Sequence, residues 1–324
     1  MKTGRIAYVD LAKCLALAGL IIGHTPDLRF VSFVDSMLLP VFWICSGYTT
    51  TGAVDLRRKL PLLGYYFLMA PVCLLFGIVA WHIPFSWTDI AGIFYGRVTL
   101  YAAPISEANP ALMQYFCRVL WFLPSLFTSY CVFKVILMAR TWIGQALMCV
   151  TSLIIATLLD MQPYLLPWSA DTAFLFAVFM CFGRWMRRYE LIERARFCDL
   201  LVSAAVFICL SPVTGFTNLS VRIYGALWPS LLVTATAGVY ALLVLCRYLD
   251  RTWAAKVAVT LDRQALFIFG LQLIFLATNA EGLIGPVGQW WLSIPFALAR
   301  CFAGAYIFGW AVRRVVRILT KSGT

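Results

Sequence analysis

Apolar runs close to twenty residues long recur from one end of this chain to the other, and that recurrence decides the fold class. A helix needs roughly 20 apolar residues to cross a bilayer. We read ten such runs, at 6–24, 36–53, 61–81, 119–138, 142–160, 170–186, 197–215, 223–246, 260–278 and 291–312. The expectation is an all-α polytopic membrane protein of about ten transmembrane helices, forming a single membrane-embedded domain over residues 1–324. Charge content agrees: 12% of residues are charged and 62% apolar, against about 25% charged in an ordinary soluble domain. A soluble enzyme, a disordered chain and a nucleic-acid-binding domain are excluded on this ground.

The basic residues set the orientation. With the N-terminus in the cytoplasm, nineteen of the 26 basic residues fall on the inner side, and Arg29, Arg97, Arg118, Arg222 and Arg300 fall outside. The excess of inner positive charge puts both termini in the cytoplasm, which an even number of spans satisfies. The net charge of +12 therefore reports membrane topology and not nucleic acid. The first run contains Asp10 and Lys13 and lacks a small-residue cleavage site after it, so it reads as a membrane helix and not as a removable signal. Residues 82–118, with His82, Arg97, Glu107 and Arg118, read as an interfacial or re-entrant segment. The 11 cysteines are scattered singly and read as packing residues. With 2 histidines in the chain, no metal is expected.

Ionisable residues inside a membrane are costly and usually mark function. The first run carries three: Asp10, Lys13 and His24. At 100° per residue, Lys13 lies within about 20° of His24 around the helix and Asp10 within about 40°. Arg5 lies about 100° away. The rise from Lys13 to His24 is about 16 Å. An ion pair near the inner leaflet thus shares a stripe with an imidazole far above it. Asp10 and Lys13 are equally readable as a structural pair at i, i+3. His24, within Gly23–His24–Thr25–Pro26, reads as functional because imidazole titrates near neutral pH.

Further along, Ser46 and Gly47 interrupt an aromatic run, Pro40–Tyr48, where small residues allow close helix approach. Arg57, Arg58 and Lys59 follow at the inner surface and serve either as a topology anchor or as an anion-binding cluster. Trp121–Phe122–Leu123 opens the fourth run, and Pro167–Trp168 with Asp171 opens the sixth. Tryptophans at span ends are commonly interfacial, and Asp171 could cap its helix. Gln264 and Gln272 lie in the ninth run.

Taken together these residues resemble the acyltransferase 3 family of integral membrane O-acyltransferases, in its fucose 4-O-acetylase-like branch. The resemblance rests on a basic residue, ten positions and a histidine (Lys13 and His24) and on Arg5–Lys13 as a whole. It also rests on Phe42–Trp43–Ile44–Cys45–Ser46–Gly47, the basic pair Arg57 and Arg58, Trp121–Phe122–Leu123, and Pro167–Trp168 with Asp171 ending at Gly183–Arg184. It is dispersed over the whole chain, with most of its specificity in the first 60 residues. Many relatives carry a late histidine near Phe267–Phe275, where this chain has Gln272. No appended soluble esterase-like domain is expected.

Such a resemblance implies transfer of an acyl group, most often acetyl, from coenzyme A to a hydroxyl of a cell-surface or lipid-linked carbohydrate. It implies a bacterial inner membrane, acetyl-CoA as donor substrate, and no nucleic-acid partner. His24 would be general base or transient acyl carrier, with Asp10 orienting Lys13 and Ser46 supplying an oxyanion donor. Lys13, Arg57, Arg58 and Lys59 would hold the donor, and Trp121, Trp168 and Asp171 would face the acceptor. A multi-pass transporter or flippase accounts equally well for the spans and the buried charges, though not for the ordered motifs.

Overall fold

Backbone groups removed from water must be satisfied within the chain, and helices do this locally. The computed structural model is accordingly helical, with no β-strand among the described residues beyond isolated bridges. The structure describes residues 5–24, 31–104, 106–226, 228–262, 264–277, 297–304, 306–311 and 314. The helices in order are α1 Ala7–Gly23, α2 Val31–Leu38, α3 Pro40–Thr49, α4 Leu60–Trp81, α5 Trp87–Tyr95, α6 Phe122–Ile136 and α7 Trp142–Asp160. They continue as α8 Ala173–Arg188, α9 Leu191–Arg194, α10 Phe197–Thr214, α11 Trp228–Tyr248, α12 Trp253–Asp262 and α13 Ala265–Ala277. Residues 297–304 and 306–311 are also helical, and the remainder of the tenth expected run lies outside the described residues.

Five helical stretches are long and apolar enough to cross a membrane, and a sixth counts if α12 and α13 are taken as one bent span. The chain is thus an integral membrane protein. The outward-facing side chains show where lipid lies. On α7, Leu147, Val150, Ile154 and Leu158 are exposed at helical spacing, and on α4 Leu68, Leu75 and Val79 form a similar stripe. Exposed apolar stripes of this kind are unfavourable in water and neutral in hydrocarbon.

Two expected spans are broken. The run at 36–53 divides into α2 and α3 at Leu39, because Pro40 takes the first helical position of α3, where its missing N–H costs nothing. The run at 260–278 divides into α12 and α13, which meet at 83°. That corner turns Asp262 towards α1, onto Arg5 and Lys13.

At the centre, α3 lies along α8. A methyl group at Gly47 would collide with the Met180 carbonyl, and one at Gly183 with the Ile44 carbonyl. The two glycines therefore let the backbones of α3 and α8 touch, which is how small residues fasten membrane helices where lipid supplies no hydrophobic drive. Trp43, fully buried beside Gly47, stacks on Phe176 of α8 with centroids 3.9 Å apart.

The segment 82–118 is a folded cap. Ser86 and Asp89 cap α5 reciprocally, and Gln114 donates to Asp89 at 3.1 Å. Arg97 is fully buried; it donates to the Leu166 and Ser220 carbonyls at 3.0 and 3.1 Å and pairs with Asp171. Burial pulls the Arg97 guanidinium below its ordinary pKa, and the Asp171 charge opposes that shift. Arg222 approaches the other Asp171 oxygen at 3.5 Å and donates to the Leu159 and Gln162 carbonyls. One carboxylate thereby ties three loops together over the ends of α5, α7 and α8.

Candidate functional site

Helix α1 carries its charges at one end and its imidazole at the other, and each end opens on a cavity. At the Lys13 end, four side chains form a neutral box. Lys13 Nζ lies 2.8 Å from Asp262 and 3.4 Å from Asp10. Arg5 lies 2.6 Å from Asp262 and 3.0 Å from Asp10. Arg5 joins despite lying off the Asp10–Lys13 face, because its long side chain reaches round the start of the helix. Two cations against two carboxylates leave no net charge, which makes such a cluster tolerable at low dielectric.

Beside this box is a cavity of about 360 Å³ lined by Lys13, Ser46, Arg58, Lys59, Tyr130 and Asp262, with an apolar wall that includes Phe122 and Phe269. Lys59 donates to the Tyr130 hydroxyl at 3.2 Å and lies 4.2 Å from that ring's centroid. Arg58 is strongly exposed and pairs with Asp55 at 3.3 Å. Arg57 belongs to the same 3₁₀ turn, Arg57–Lys59, but does not line the cavity.

The second cavity, about 330 Å³, opens at the other end of α1. His24, Trp121, Arg118, Tyr115, Gln272 and Phe269 are among its walls. His24 follows the last turn of α1, and its Nδ1 lies 2.6 Å from the Leu20 carbonyl oxygen. A carbonyl oxygen only accepts, so Nδ1 must carry the hydrogen. In the neutral ring the lone pair is then on Nε2. This is how a backbone carbonyl selects an imidazole tautomer, and it leaves Nε2 able to take a proton or attack an electrophile.

Phe269 lines both cavities. Trp121 faces the His24 side and its neighbour Phe122 the Lys13 side, their rings perpendicular with centroids 6.5 Å apart. Phe122 packs on Phe269, Trp43 and Phe42 at 5.0, 5.0 and 5.5 Å. The Trp-Phe-Leu and Phe-Trp-x-x-Ser-Gly motifs therefore build one aromatic partition between a cationic cavity and an imidazole cavity.

The residues singled out in the sequence are distributed as follows. Lys13, Ser46, Arg58 and Lys59 share the first cavity, with Asp10 behind them in the ion-pair box. His24 and Trp121 share the second, so Ser46 and His24 lie in different cavities. Trp168 and Asp171 line neither: Trp168 donates to the Phe94 carbonyl at 2.8 Å, and Asp171 is enclosed by Arg97 and Arg222. Sequence reasoning missed Asp262, whose signal was an acidic residue at the head of an apolar run. It also missed Arg118 as a cavity residue and Phe269 altogether, a phenylalanine being indistinguishable in sequence from its lipid-facing neighbours.

Against known proteins, a family model described as an acyltransferase domain matches residues 6–310. No curated protein and no solved structure matches the chain.

Proposed function

The chain belongs to the acyltransferase 3 family, and from that premise we propose that this membrane acyltransferase is an O-acyltransferase of the fucose 4-O-acetylase-like branch. It moves an acyl group, acetyl first among them, from cytoplasmic acyl-CoA to a hydroxyl of a cell-surface or lipid-linked carbohydrate. The chain crosses a bacterial inner membrane ten times as one domain, with both ends in the cytoplasm. Support for that orientation is the excess of arginine and lysine on one side of the expected spans.

The observation that carries the reading is the pairing of the two cavities. The Lys13 cavity offers Arg58 and Lys59 to a polyanionic donor, as phosphate recognition requires. The pantetheine arm enters between Phe122 and Phe269 and brings the thioester carbonyl to His24. The acceptor sugar stacks on Trp121 from the other side. His24 Nε2 takes the proton of the acceptor hydroxyl while that oxygen attacks the thioester carbon. The tetrahedral intermediate then collapses, the C–S bond breaks, and the thiolate recovers the proton as free coenzyme A. In the covalent variant Nε2 itself attacks, the C–S bond breaks and the thiolate leaves; the sugar oxygen then takes the acyl group from the acyl-imidazole, its proton passes to the thiolate, and Nε2 is restored. Both routes require the Nε2 lone pair. Asp10 and Asp262 hold Lys13 at the head of the donor cavity.

The test uses membranes containing wild type or His24→Ala, fed acetyl-labelled coenzyme A, with label followed into the glycan fraction. Label that depends on His24 is the expected result. Equal label in both membranes would overturn the assignment of His24, and its absence from wild type given native acceptor and several acyl donors would overturn the reaction.

A further inference from the structure

The walls of the His24 cavity carry more polarity than a neutral sugar hydroxyl demands. Arg118 is half-buried there, just before α6. Its Nε donates to the Met113 carbonyl at 3.4 Å, and its guanidinium carbon lies 5.8 Å from the Tyr115 ring centroid. Among the described residues no carboxylate pairs with it. The more deeply enclosed cations pair with carboxylates, Lys13 with Asp10 and Asp262, Arg97 with Asp171, and Arg222 with Asp171 and Asp160, while the half-buried Arg184 and Arg247 each donate to two backbone carbonyls. A desolvated guanidinium without a counter-charge is costly unless a ligand supplies one.

Gln272 supplies the second, independent observation. It lies on α13, lines the same cavity, is fully buried, and neither its Oε1 nor its Nε2 has a hydrogen-bond partner among the described residues. Buried amides are nearly always satisfied, so one with both ends unpaired on a cavity wall marks a place where something polar binds. A guanidinium offers a planar pair of donors that fits carboxylate or phosphate, and a primary amide both donates and accepts, as a sugar hydroxyl requires.

We propose that the His24 cavity is built for an acidic acceptor, a sugar carrying a carboxylate or a phosphate, with Arg118 as the anion ligand and Gln272 holding a hydroxyl of the same sugar. This rests on the acyl-transfer reading only in naming the occupant an acceptor. The full-length protein in detergent is titrated calorimetrically with methyl glucuronide, glucose 1-phosphate and methyl glucoside at millimolar concentrations. At least one of the two anions binds about tenfold more tightly than the neutral glycoside. Arg118→Gln abolishes that preference and Arg118→Lys keeps most of it, so a folding defect in the first variant is separable from loss of charge. Gln272→Leu weakens all three sugars alike, by about fivefold. Which anion loses its preference in Arg118→Gln identifies carboxylate or phosphate. A neutral glycoside bound as tightly as both anions, no binding of any probe, or a preference that survives Arg118→Gln overturns the proposal. Because the readout is binding, a failure of the His24 labelling experiment leaves it standing, and its own failure leaves acyl transfer standing.

Discussion

The two ends of α1 solve the problem of charge in a membrane in opposite ways. At the Lys13 end four charges of the helix and its neighbour complement one another inside the chain: Arg5, Asp10, Lys13 and Asp262 form a closed four-membered box. At the His24 end, among the described residues, a guanidinium stands without a carboxylate and a glutamine side chain without a hydrogen-bond partner. The first arrangement is finished architecture and should behave as such when cut. The second is incomplete by itself, as expected where the completing groups arrive with a substrate. The contrast separates residues that hold the molecule together from residues that hold something else.

The sharpest way to test it is to take one residue from each end. His24→Ala should lower the rate of acyl transfer by about 10²–10⁴, the usual range for a lost general base, while thermal unfolding in detergent stays near wild type. Asp262→Ala should do the reverse in emphasis. It leaves Arg5 and Lys13 with Asp10 alone; removing one member of a fully buried ion cluster costs about 3–5 kcal/mol, and the loss here is smaller because the Arg5 side chain is 40% exposed and screened by solvent. Thermal unfolding should detect that loss in apo protein, before any donor is added. A His24 variant as unstable as the Asp262 variant would erase the distinction.

The partition between the cavities offers a smaller effect. Phe269→Trp adds bulk where Phe122 and Phe269 meet at 5.0 Å, so the thioester should reach His24 less often. A fall of about tenfold in kcat with an unchanged KM for acyl-CoA is the expected split, since binding is spared and only the productive geometry is lost. Neutralising Arg58 and Lys59 together should give the mirror image, with KM raised about tenfold and kcat held, as two lost contacts to phosphate imply.

How much of this could be read from the sequence follows from what a linear pattern can encode. The apolar runs foretold where α4, α7 and α10 begin and end to within a residue or so, because each is a single uninterrupted helix. The stripe joining Asp10, Lys13 and His24 was legible because helical periodicity is local. Asp262 was not, since its pairing with Lys13 spans 249 positions of chain and depends on an 83° corner that no apolar run announces. Asp171 shows the converse error of emphasis. Its place at the head of an apolar run suggested a helix cap and the resemblance a role facing the acceptor, whereas the fold surrounds it with Arg97 and Arg222. Phe42, Trp43, Phe122 and Phe269 come from three separate helices, and their meeting in one partition is a property of packing, invisible until α3, α6 and α13 are placed together.

The least effect is expected from Arg118→Gln in protein without ligand, and its smallness is what makes it informative. If Arg118 were structural in the manner of Arg97, cutting it would strand a buried carboxylate and destabilise by several kcal/mol. Arg118 strands no carboxylate among the described residues, where its fixed contacts are one long hydrogen bond to the Met113 carbonyl and a ring face. Its loss should therefore shift apo stability by less than about 1 kcal/mol. Arg97→Gln, measured alongside, should cost clearly more, because it leaves the Asp171 charge with the more distant Arg222 and two backbone N–H donors. Equal destabilisation by the two substitutions would place Arg118 among the residues that close the 82–118 cap. A negligible effect at Arg118 beside a large one at Arg97 would mean that one guanidinium is held by the protein and the other is kept for its substrate.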